Sequence, residues 1–344
     1  MSKSKGNVID PLTKMSQYGT DALRFTLASM ASPGRDIKLS EERIEGYRNF
    51  TNKIWNAARF ILMNVDEKKE ALPFSDRPLI DRWILTRLNQ VIKAVNASLE
   101  DYRFDQAASQ LYHFIWHEYC DWYLELIKPT LHNDDAQESR LTRQTLLESF
   151  EILQRLLHPF MPFLTEEIWQ AIPHQGKSVT IQGYPTSQSD WLDTKAEESF
   201  RIIEQIVTIT RTGRALLEYS PSKKLSFYAT AKDSDDVSSL QILSPFIEHL
   251  SRGTLDVTDQ DDWSTDTILR LIVESFIVGI RIEGDIDLKK ALNRIRKQTQ
   301  AKQKEASRLQ ERLGSSDFAA KASQEIIQES RDRLDSLTAE LSLL

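Results

Sequence analysis

The first seven residues place two lysines, two serines and a glycine in one short polar segment, Met1-Ser2-Lys3-Ser4-Lys5-Gly6-Asn7. Lysine ammonium groups on a loop suit a phosphate chain, because they act as mobile point charges. Such charges stabilise the negative charge that develops on a departing phosphoryl oxygen. Composition by itself favours a solvated N-terminus over a phosphate site at this segment.

A second basic region lies near the other end of the chain. Residues 288–313 hold 9 Lys and Arg against 2 Asp and Glu. Apolar and small residues recur there at spacings of four and three, and the same spacing returns after Gly314 up to Leu344. Two heptad segments joined at a glycine predict an antiparallel helical hairpin. The second segment, 321–344, holds 3 basic and 5 acidic residues, so several cations of the first are left over and suit a phosphate backbone. The alternative is that the charges of the two helices neutralise each other across the hairpin.

His113, His117 and Cys120 are spaced so that one helix face could offer three metal ligands. Aromatic and aliphatic residues surround them, and no fourth ligand stands nearby in the sequence. We therefore expect no metal site, and we interpret the histidines as buried or half-buried packing residues.

Composition places the 344 residues among globular proteins of two or three domains, with 40% hydrophobic residues. No apolar run approaches the about 20 residues that cross a bilayer, and the N-terminus has no signal-peptide pattern. One cysteine suits a reducing cytosol. The net charge of −7 hides local differences: residues 1–60 hold 10 basic and 6 acidic residues, whereas residues 231–266 hold 2 and 9.

Hydrophobic periodicity predicts a mainly α protein. A bundle of about five helices is expected over 40–172, with polar loops at 64–80 and 129–142. Ser40 can cap the first of these helices, whose first turn would hold Glu41 and Glu42, where the helix dipole favours acidic residues. A small α+β unit follows, with helices at 197–219 and 237–250 and strands at 225–230, 268–273 and 276–282. The heptad hairpin closes the chain.

Several segments together resemble class I aminoacyl-tRNA synthetases, and the valyl-tRNA synthetases in particular. The opening residues resemble the Lys-Met-Ser-Lys-Ser signature without its first lysine. The other matching segments are Asp10-Pro11-Leu12, Tyr18 to Phe25, Gly34 to Ile37, Glu45 to Phe50, Asn52 to Phe60, Tyr119 to Glu125, His158 to Phe163 and the hairpin Leu288–Leu344. The sequence holds no His-Ile-Gly-His motif and no Rossmann-type pattern.

The resemblance implies a C-terminal fragment with four parts. Residues 1–40 would be the signature loop and a linker contacting the tRNA stem, and 41–175 an α-helical anticodon-binding domain. Residues 176–284 would form a small α+β domain, and 285–344 a coiled-coil tRNA-binding arm. The parent enzyme would activate valine with ATP and Mg²⁺ and attach it to tRNA(Val). The fragment alone is expected to be inactive and to hold no cofactor.

The resemblance also implies site residues. Lys3 would be catalytic, with Ser2, Ser4 and Lys5 in the same ATP-binding loop. The tRNA-binding candidates are basic residues of the first bundle helix and of the arm: Arg48, Lys53, Arg59, Lys290, Arg294, Arg296, Lys297 and Arg308. Arg48, Lys53 and Arg59 do not share one helix face perfectly.

Two alternatives stay open at this point. One is a stand-alone RNA-binding or assembly module, and the other is the same region of an isoleucyl- or leucyl-tRNA synthetase. The absence of a late Cys-x-x-Cys pair weakens the isoleucyl alternative. We expect a cytoplasmic, monomeric protein that does not contact a membrane.

Overall fold

The structure is a computed structural model that describes residues 10–34, 37, 39–65, 72–132, 137–231, 233–258, 267–284 and 288–315, together with 330, 331, 333, 334, 337, 338 and 341. The chain divides into two compact units, residues 1–197 and residues 198–344. The predicted mainly α class is confirmed. Within the described part, no helix combines the length and apolar character that crossing a bilayer requires.

The first unit is built from helices. They are α1 Pro11–Tyr18, α2 Thr20–Ser29, α3 Glu41–Leu62, α4 Leu79–Glu100, α5 Phe104–His113, α6 Leu124–Leu126, α7 Lys128–Leu131, α8 Gln137–Leu157 and α9 Pro162–Ala171. A π-helix, Phe114–Tyr123, continues α5 into α6. Short 3₁₀ turns occupy Phe74–Asp76 and Val179–Ile181, and α10, Thr194–Leu216, begins at the end of the unit.

Local signals explain where α1 and α3 begin. Asp10 caps α1 by accepting a hydrogen bond from the Leu12 amide at 3.0 Å, and Pro11 occupies the first helical position. The sequence analysis did not predict α1. Ser40 caps α3 by accepting from the Arg43 amide at 3.3 Å, as expected from the sequence.

Helix α2 is held against the start of α9 by hydrogen bonds. The buried Asp21 carboxylate accepts hydrogen bonds from the amides of Phe163, at 3.4 Å, and Leu164, at 2.6 Å. Arg24 Nη2 donates to the Pro159 carbonyl at 3.0 Å. Asp21 therefore satisfies the open amides of a helix that lies more than a hundred residues away along the chain.

The expected polar loop at 129–142 is wrong. Helix α7 ends at Leu131 and α8 begins at Gln137. The first turns of α8 bury polar side chains, so its hydrophobic period is obscured. Thr142 Oγ1 donates to Asp81 Oδ2 at 2.8 Å, and Arg77 Nη1 donates to Thr145 Oγ1 at 2.7 Å. These bonds make burial of the polar face possible.

The second unit contains a four-stranded sheet in the order β2-β1-β4-β3. Its elements after α10 are β1 Leu225–Ala231, α11 Ser234–Ser251, β2 Gly253–Val257, β3 Ile268–Val273 and β4 Phe276–Arg281. Strand β1 pairs in parallel with β2, and α11 connects the two strands. On its other side β1 pairs antiparallel with β4. Strands β3 and β4 form a hairpin.

Two glycines permit close packing in this unit. A Cβ on Gly213 of α10 would lie 2.2 Å from Ile280 Cδ1, so the missing side chain lets the helix approach the sheet. A Cβ on Gly253 would lie 2.5 Å from the Leu225 carbonyl oxygen. Strand β2, which starts at Gly253, was not predicted, because its five residues are too few for their alternation to stand out from the neighbouring polar sequence.

The arm consists of α12, Leu288–Gly314, and a second segment of which only the seven residues between 330 and 341 are described. These seven residues are helical, and Ser330 and Leu337 are buried. Arg333 Nε lies 2.9 Å from Glu305 Oε1 and so joins the segment to α12. The predicted turn after Gly314 falls mostly outside the described residues.

Candidate nucleic-acid interface

Helix α3 is held at its N-terminal end by α1. Lys14 Nζ lies 2.7 Å from Glu41 Oε1, and Tyr18 Oη donates to Glu41 Oε2 at 3.1 Å. The bond from Lys14 is the main cause of a lowered pKa for the Glu41 carboxyl. The inner face of α3 is buried, with Ile44, Phe50 and Ile54 among its core residues. This attachment leaves the opposite face of α3 at the surface.

The outer face of α3 carries Arg48, Asn52, Trp55 and Arg59, which we call the α3 stripe. Their spacing of i, i+4, i+7 and i+11 puts them along one side of a helix. Trp55 is 42% exposed, and Asn52 and Arg59 are also exposed. An exposed indole, an amide and guanidinium groups in one line can stack on unpaired bases and bind their edges or phosphates.

Lys53 does not belong to this stripe. Its ammonium contacts Asp121 and lies 4.1 Å from the centre of the Trp116 ring. The side chain is 23% exposed, against 45% for Asp121. The charge of Lys53 is therefore matched by a carboxylate and an aromatic face of the π-helix.

Arg48 has local partners as well. Its Nη2 lies 2.9 Å from Glu45 Oε1, and its guanidinium lies 5.8 Å from the Tyr18 ring centre. Both side chains of the ion pair are exposed, so the pair is weak and exchangeable for another anion. Arg59 is exposed near the C-terminal end of α3.

Aromatic side chains connect α3 to the π-helix. Tyr112 and Trp116 stack with ring centres 5.6 Å apart, and Phe50 meets Tyr112 edge-on at 4.9 Å. The sequence analysis missed this cluster and Trp55. The clustering of aromatic residues between 112 and 123 was the available signal.

The interpretation of His113 and His117 as buried or half-buried residues is wrong. Both are exposed, and their ring centres lie 5.3 Å apart. They lie on the outer side of the helix because Phe114, Ile115 and Tyr119 take the inner positions. Cys120 is buried, and burial raises the pKa of its thiol to about 12. Among the residues the structure describes, no three His, Cys, Asp or Glu side chains are grouped to hold a metal ion.

A buried carboxylate of α4 is hydrogen-bonded to the π-helix. Asp81 of α4 accepts hydrogen bonds from Tyr123 Oη at 2.7 Å and from Thr142 Oγ1 at 2.8 Å. Burial raises the pKa of the Asp81 carboxyl to about 6, although both hydroxyl bonds oppose the rise. Asp81 thus ties α4, the π-helix and α8 together.

In the second unit, the arm presents cations along α12. Exposed basic side chains there include those of Lys289, Arg296, Lys297, Lys304 and Arg308. Lys290 and Arg294 lie on α12, but their side chains fall outside the described part of the chain, as do the signature-loop residues Ser2, Lys3, Ser4 and Lys5 altogether. A helix with exposed cations along it fits a phosphate backbone.

Three family models match the chain. Residues 1–40 match the class I tRNA synthetases for I, L, M and V, and residues 81–229 match the anticodon-binding domain of tRNA ligases. Residues 287–344 match the valyl tRNA synthetase tRNA binding arm. Helix α3 lies between the first two matches.

Curated relatives match over nearly the whole chain. Valine–tRNA ligase of Bacillus subtilis is 36% identical over 97% of this chain and 38% of its own length. The Listeria innocua ligase is 38% identical over 96% of this chain, and the Thermotoga maritima ligase is 37% identical over 100%. This chain is homologous to the C-terminal part of valine–tRNA ligases. The recognition made from the sequence is confirmed.

The chain spans about 38% of the length of these valine–tRNA ligases. Neither a stand-alone module nor an isoleucyl or leucyl synthetase is favoured. A solved ternary complex of Agrobacterium radiobacter K84 LeuRS, tRNA and LeuAMS aligns with 83% of this chain and 31% of that chain, at 18% identity and a TM-score of 0.45.

Proposed function

We propose that this chain is the tRNA-binding part of a valine–tRNA ligase. The whole ligase would form valyl-adenylate and pyrophosphate from valine and ATP, and would then transfer the valyl group to the terminal adenosine of tRNA(Val). The observation that carries the proposal is the row of exposed cations on α12, inside the segment that matches a tRNA-binding arm.

We divide the work of the chain among four segments. Residues 1–40 supply the signature loop and a linker along the tRNA stem, and residues 41–175 bind the anticodon through the α3 stripe. Residues 176–284 form the small α+β domain from which the arm, 285–344, extends to the tRNA. The attachment of α2 to α9 through Asp21 supports a linker that moves with the anticodon-binding helices.

Chemistry at the signature loop follows from the family match to residues 1–40. Lys3 would stabilise the charge of the ATP triphosphate, with Ser2, Ser4 and Lys5 in supporting contacts. Mg²⁺ would arrive with ATP as part of the substrate. The family match and the single cysteine support a cytoplasmic protein, and we propose that it acts as a monomer.

Binding of tRNA(Val) transcript at a series of salt concentrations tests the role of the arm. Replacing Arg296, Lys297 and Arg308 with Gln removes three exposed cations of α12. We expect weaker binding and a salt slope that falls by about 0.9 for each phosphate that the variant no longer neutralises.

The matched control replaces Lys93 and Lys224, which are exposed outside the arm, with Gln. For each charge removed, we expect the salt slope of tRNA binding to change far less in this control than in the arm variant. An unchanged slope in the arm variant, or equal changes in both variants, would contradict an RNA-binding arm.

A further inference from the structure

The backbone that leads from the sheet to the arm is pinned at two successive residues. After β4 ends at Arg281, the Ile282 amide donates to the Thr267 carbonyl at 2.8 Å. Glu283 follows, and Gly284 then takes a φ of +89°, which favours glycine. We call Ile282 to Gly284 the arm root.

One tyrosine holds both backbone polar groups of Glu283. Tyr219 Oη accepts a hydrogen bond from the Glu283 amide at 2.8 Å and donates to the Glu283 carbonyl at 3.0 Å. Lys223 Nζ donates to the same carbonyl at 2.9 Å. The Lys223 ammonium also lies 3.6 Å from the centre of the Tyr219 ring, so the two side chains hold each other in place.

Both side chains come from the α10–β1 connection, which is itself anchored. Arg214 of α10 donates through Nη1 to the carbonyls of Ser220, at 3.0 Å, and Lys223, at 2.5 Å. Its Nη2 donates to the Ser251 carbonyl, at the end of α11, at 2.7 Å. The grip on Glu283 is therefore continuous with two helices that pack against the sheet.

We propose that Tyr219 is a positioning residue for RNA binding, which acts by fixing the direction in which the arm leaves the sheet. The proposal rests on the proposed function of the arm. A cationic helix on a freely swinging attachment would lose orientational freedom when it met RNA. A helix whose root is already held loses less, so the same cations bind more tightly.

The first test measures the attachment without RNA. Spin labels are placed at Gln241 on α11 and Gln303 on α12, both exposed, in a Cys120→Ala background. Pulsed electron paramagnetic resonance then gives the distance distribution. We expect a narrow distribution for the parent chain and a broader one for Tyr219→Phe, which keeps the ring and removes the hydroxyl.

Lys223→Met gives a second route to the same loosening, because it removes one donor and leaves Tyr219 intact. Tyr184→Phe is the matched control, since its hydroxyl donates to the Leu156 carbonyl at 3.1 Å in the first unit. Equal widths in the parent chain and Tyr219→Phe, or a broad distribution in both, would overturn the proposal.

The second test measures tRNA(Val) binding in a double-mutant cycle. Tyr219→Phe should weaken binding roughly 3- to 10-fold while leaving the salt slope unchanged, because every cation of the arm is still present. In the background with Arg296, Lys297 and Arg308 replaced by Gln, six of the nine basic residues of 288–313 remain, and the same substitution should weaken binding by a smaller factor than in the parent chain. Additive effects would mean that Tyr219 does not act through the arm.

The two tests distinguish failure of the RNA-binding role of the arm from failure of the positioning role of Tyr219. If replacing Arg296, Lys297 and Arg308 with Gln leaves tRNA binding and its salt slope intact, the proposed function of the arm fails, whatever Tyr219 does. If the arm variant binds weakly but Tyr219→Phe keeps both the narrow distances and the parent affinity, only the positioning role fails.

Discussion

The basic residues of α3 have different surroundings, and these surroundings separate their roles. Lys53 is matched by Asp121 and covered in part by Trp116, whereas Arg59 is exposed near the end of the helix. The sequence placed both among the RNA-binding candidates from charge and resemblance. The structure adds Trp55, whose exposed ring lies on the same stripe as Arg59. An exposed indole beside a cation is the arrangement that stacks on unpaired bases.

At this residue scale, Trp55→Ala should weaken binding of the tRNA(Val) anticodon stem-loop by about 1–3 kcal/mol, the cost of removing the stacking of one base. Arg59→Gln should lower the salt slope by about 1, since the variant neutralises one phosphate fewer. Fluorescence anisotropy with a labelled stem-loop measures both quantities. Lys93→Gln serves as the control on α4, and a Trp55→Ala variant with parent affinity would exclude stacking at this position.

At the scale of elements, the π-helix Phe114–Tyr123 determines which aromatic residues face α3 and which enter the core. Tyr119 and Tyr123 are fully buried, and Tyr123 donates to the equally buried Asp81. Such i+5 hydrogen bonding changes the turn length without a recognisable sequence period. Heptad or helical spacing alone therefore could not predict the π-helix. The distant Asp81 carboxylate stabilises it by accepting hydrogen bonds from Tyr123 and Thr142.

Asp81 makes the stability of the first unit depend on pH. Burial raises the pKa of this carboxyl to about 6 in the folded chain, above the ordinary value of 3.8 that it regains on unfolding. Between these values the folded state binds more protons, so the contribution of Asp81 to the free energy of unfolding falls as pH rises. The full fall, from below pH 3.8 to above pH 6, is on the order of 3 kcal/mol, and about 2 kcal/mol of it lies between pH 4.5 and pH 7. Urea unfolding at pH 4.5 and pH 7 measures it.

Asp81→Asn keeps an acceptor for Tyr123 and should lack this decrease, so its stability relative to the parent should rise between pH 4.5 and pH 7. Asp105→Asn is the control, because hydrogen bonding from Arg103 lowers the pKa of the Asp105 carboxyl to about 2. Both states of Asp105 are largely ionised above pH 4.5, so this variant should be destabilised by a similar amount at both pH values. A pH-independent difference for Asp81→Asn would contradict the assignment.

At the scale of the whole molecule, the net charge of −7 conceals segments of opposite sign. The cationic α12 and the acidic stretch 231–266 both belong to the second unit. A polyanion responds to the local field of the exposed cations and not to the average charge. The proposed binding of tRNA is therefore compatible with the acidic composition of the chain.

We expect the chain on its own to bind tRNA(Val) but to catalyse no valine-dependent exchange of pyrophosphate into ATP. The chain spans 38% of the length of its relatives, and Lys3 in its proposed role would need a pocket for valine and ATP to act on. Exchange of labelled pyrophosphate measures the reaction, with a full-length valine–tRNA ligase as the positive control. Valine-dependent exchange above background would show that the chain is itself an activating enzyme.

The sequence by itself determined the features that arise from neighbouring residues. Heptad spacing predicted α12, and the Ser40 cap predicted the start of α3. Alternation predicted β3 and β4, and the strand at 225–230 was also predicted. Only the tertiary structure decided that Asp21 caps α9, that Asp121 matches Lys53 and that Tyr219 holds Glu283. Each of these contacts joins segments far apart in the chain, so it depends on which surfaces meet after the helices pack. Periodicity and capping depend on a few turns of backbone, so they do not predict which distant segments come into contact.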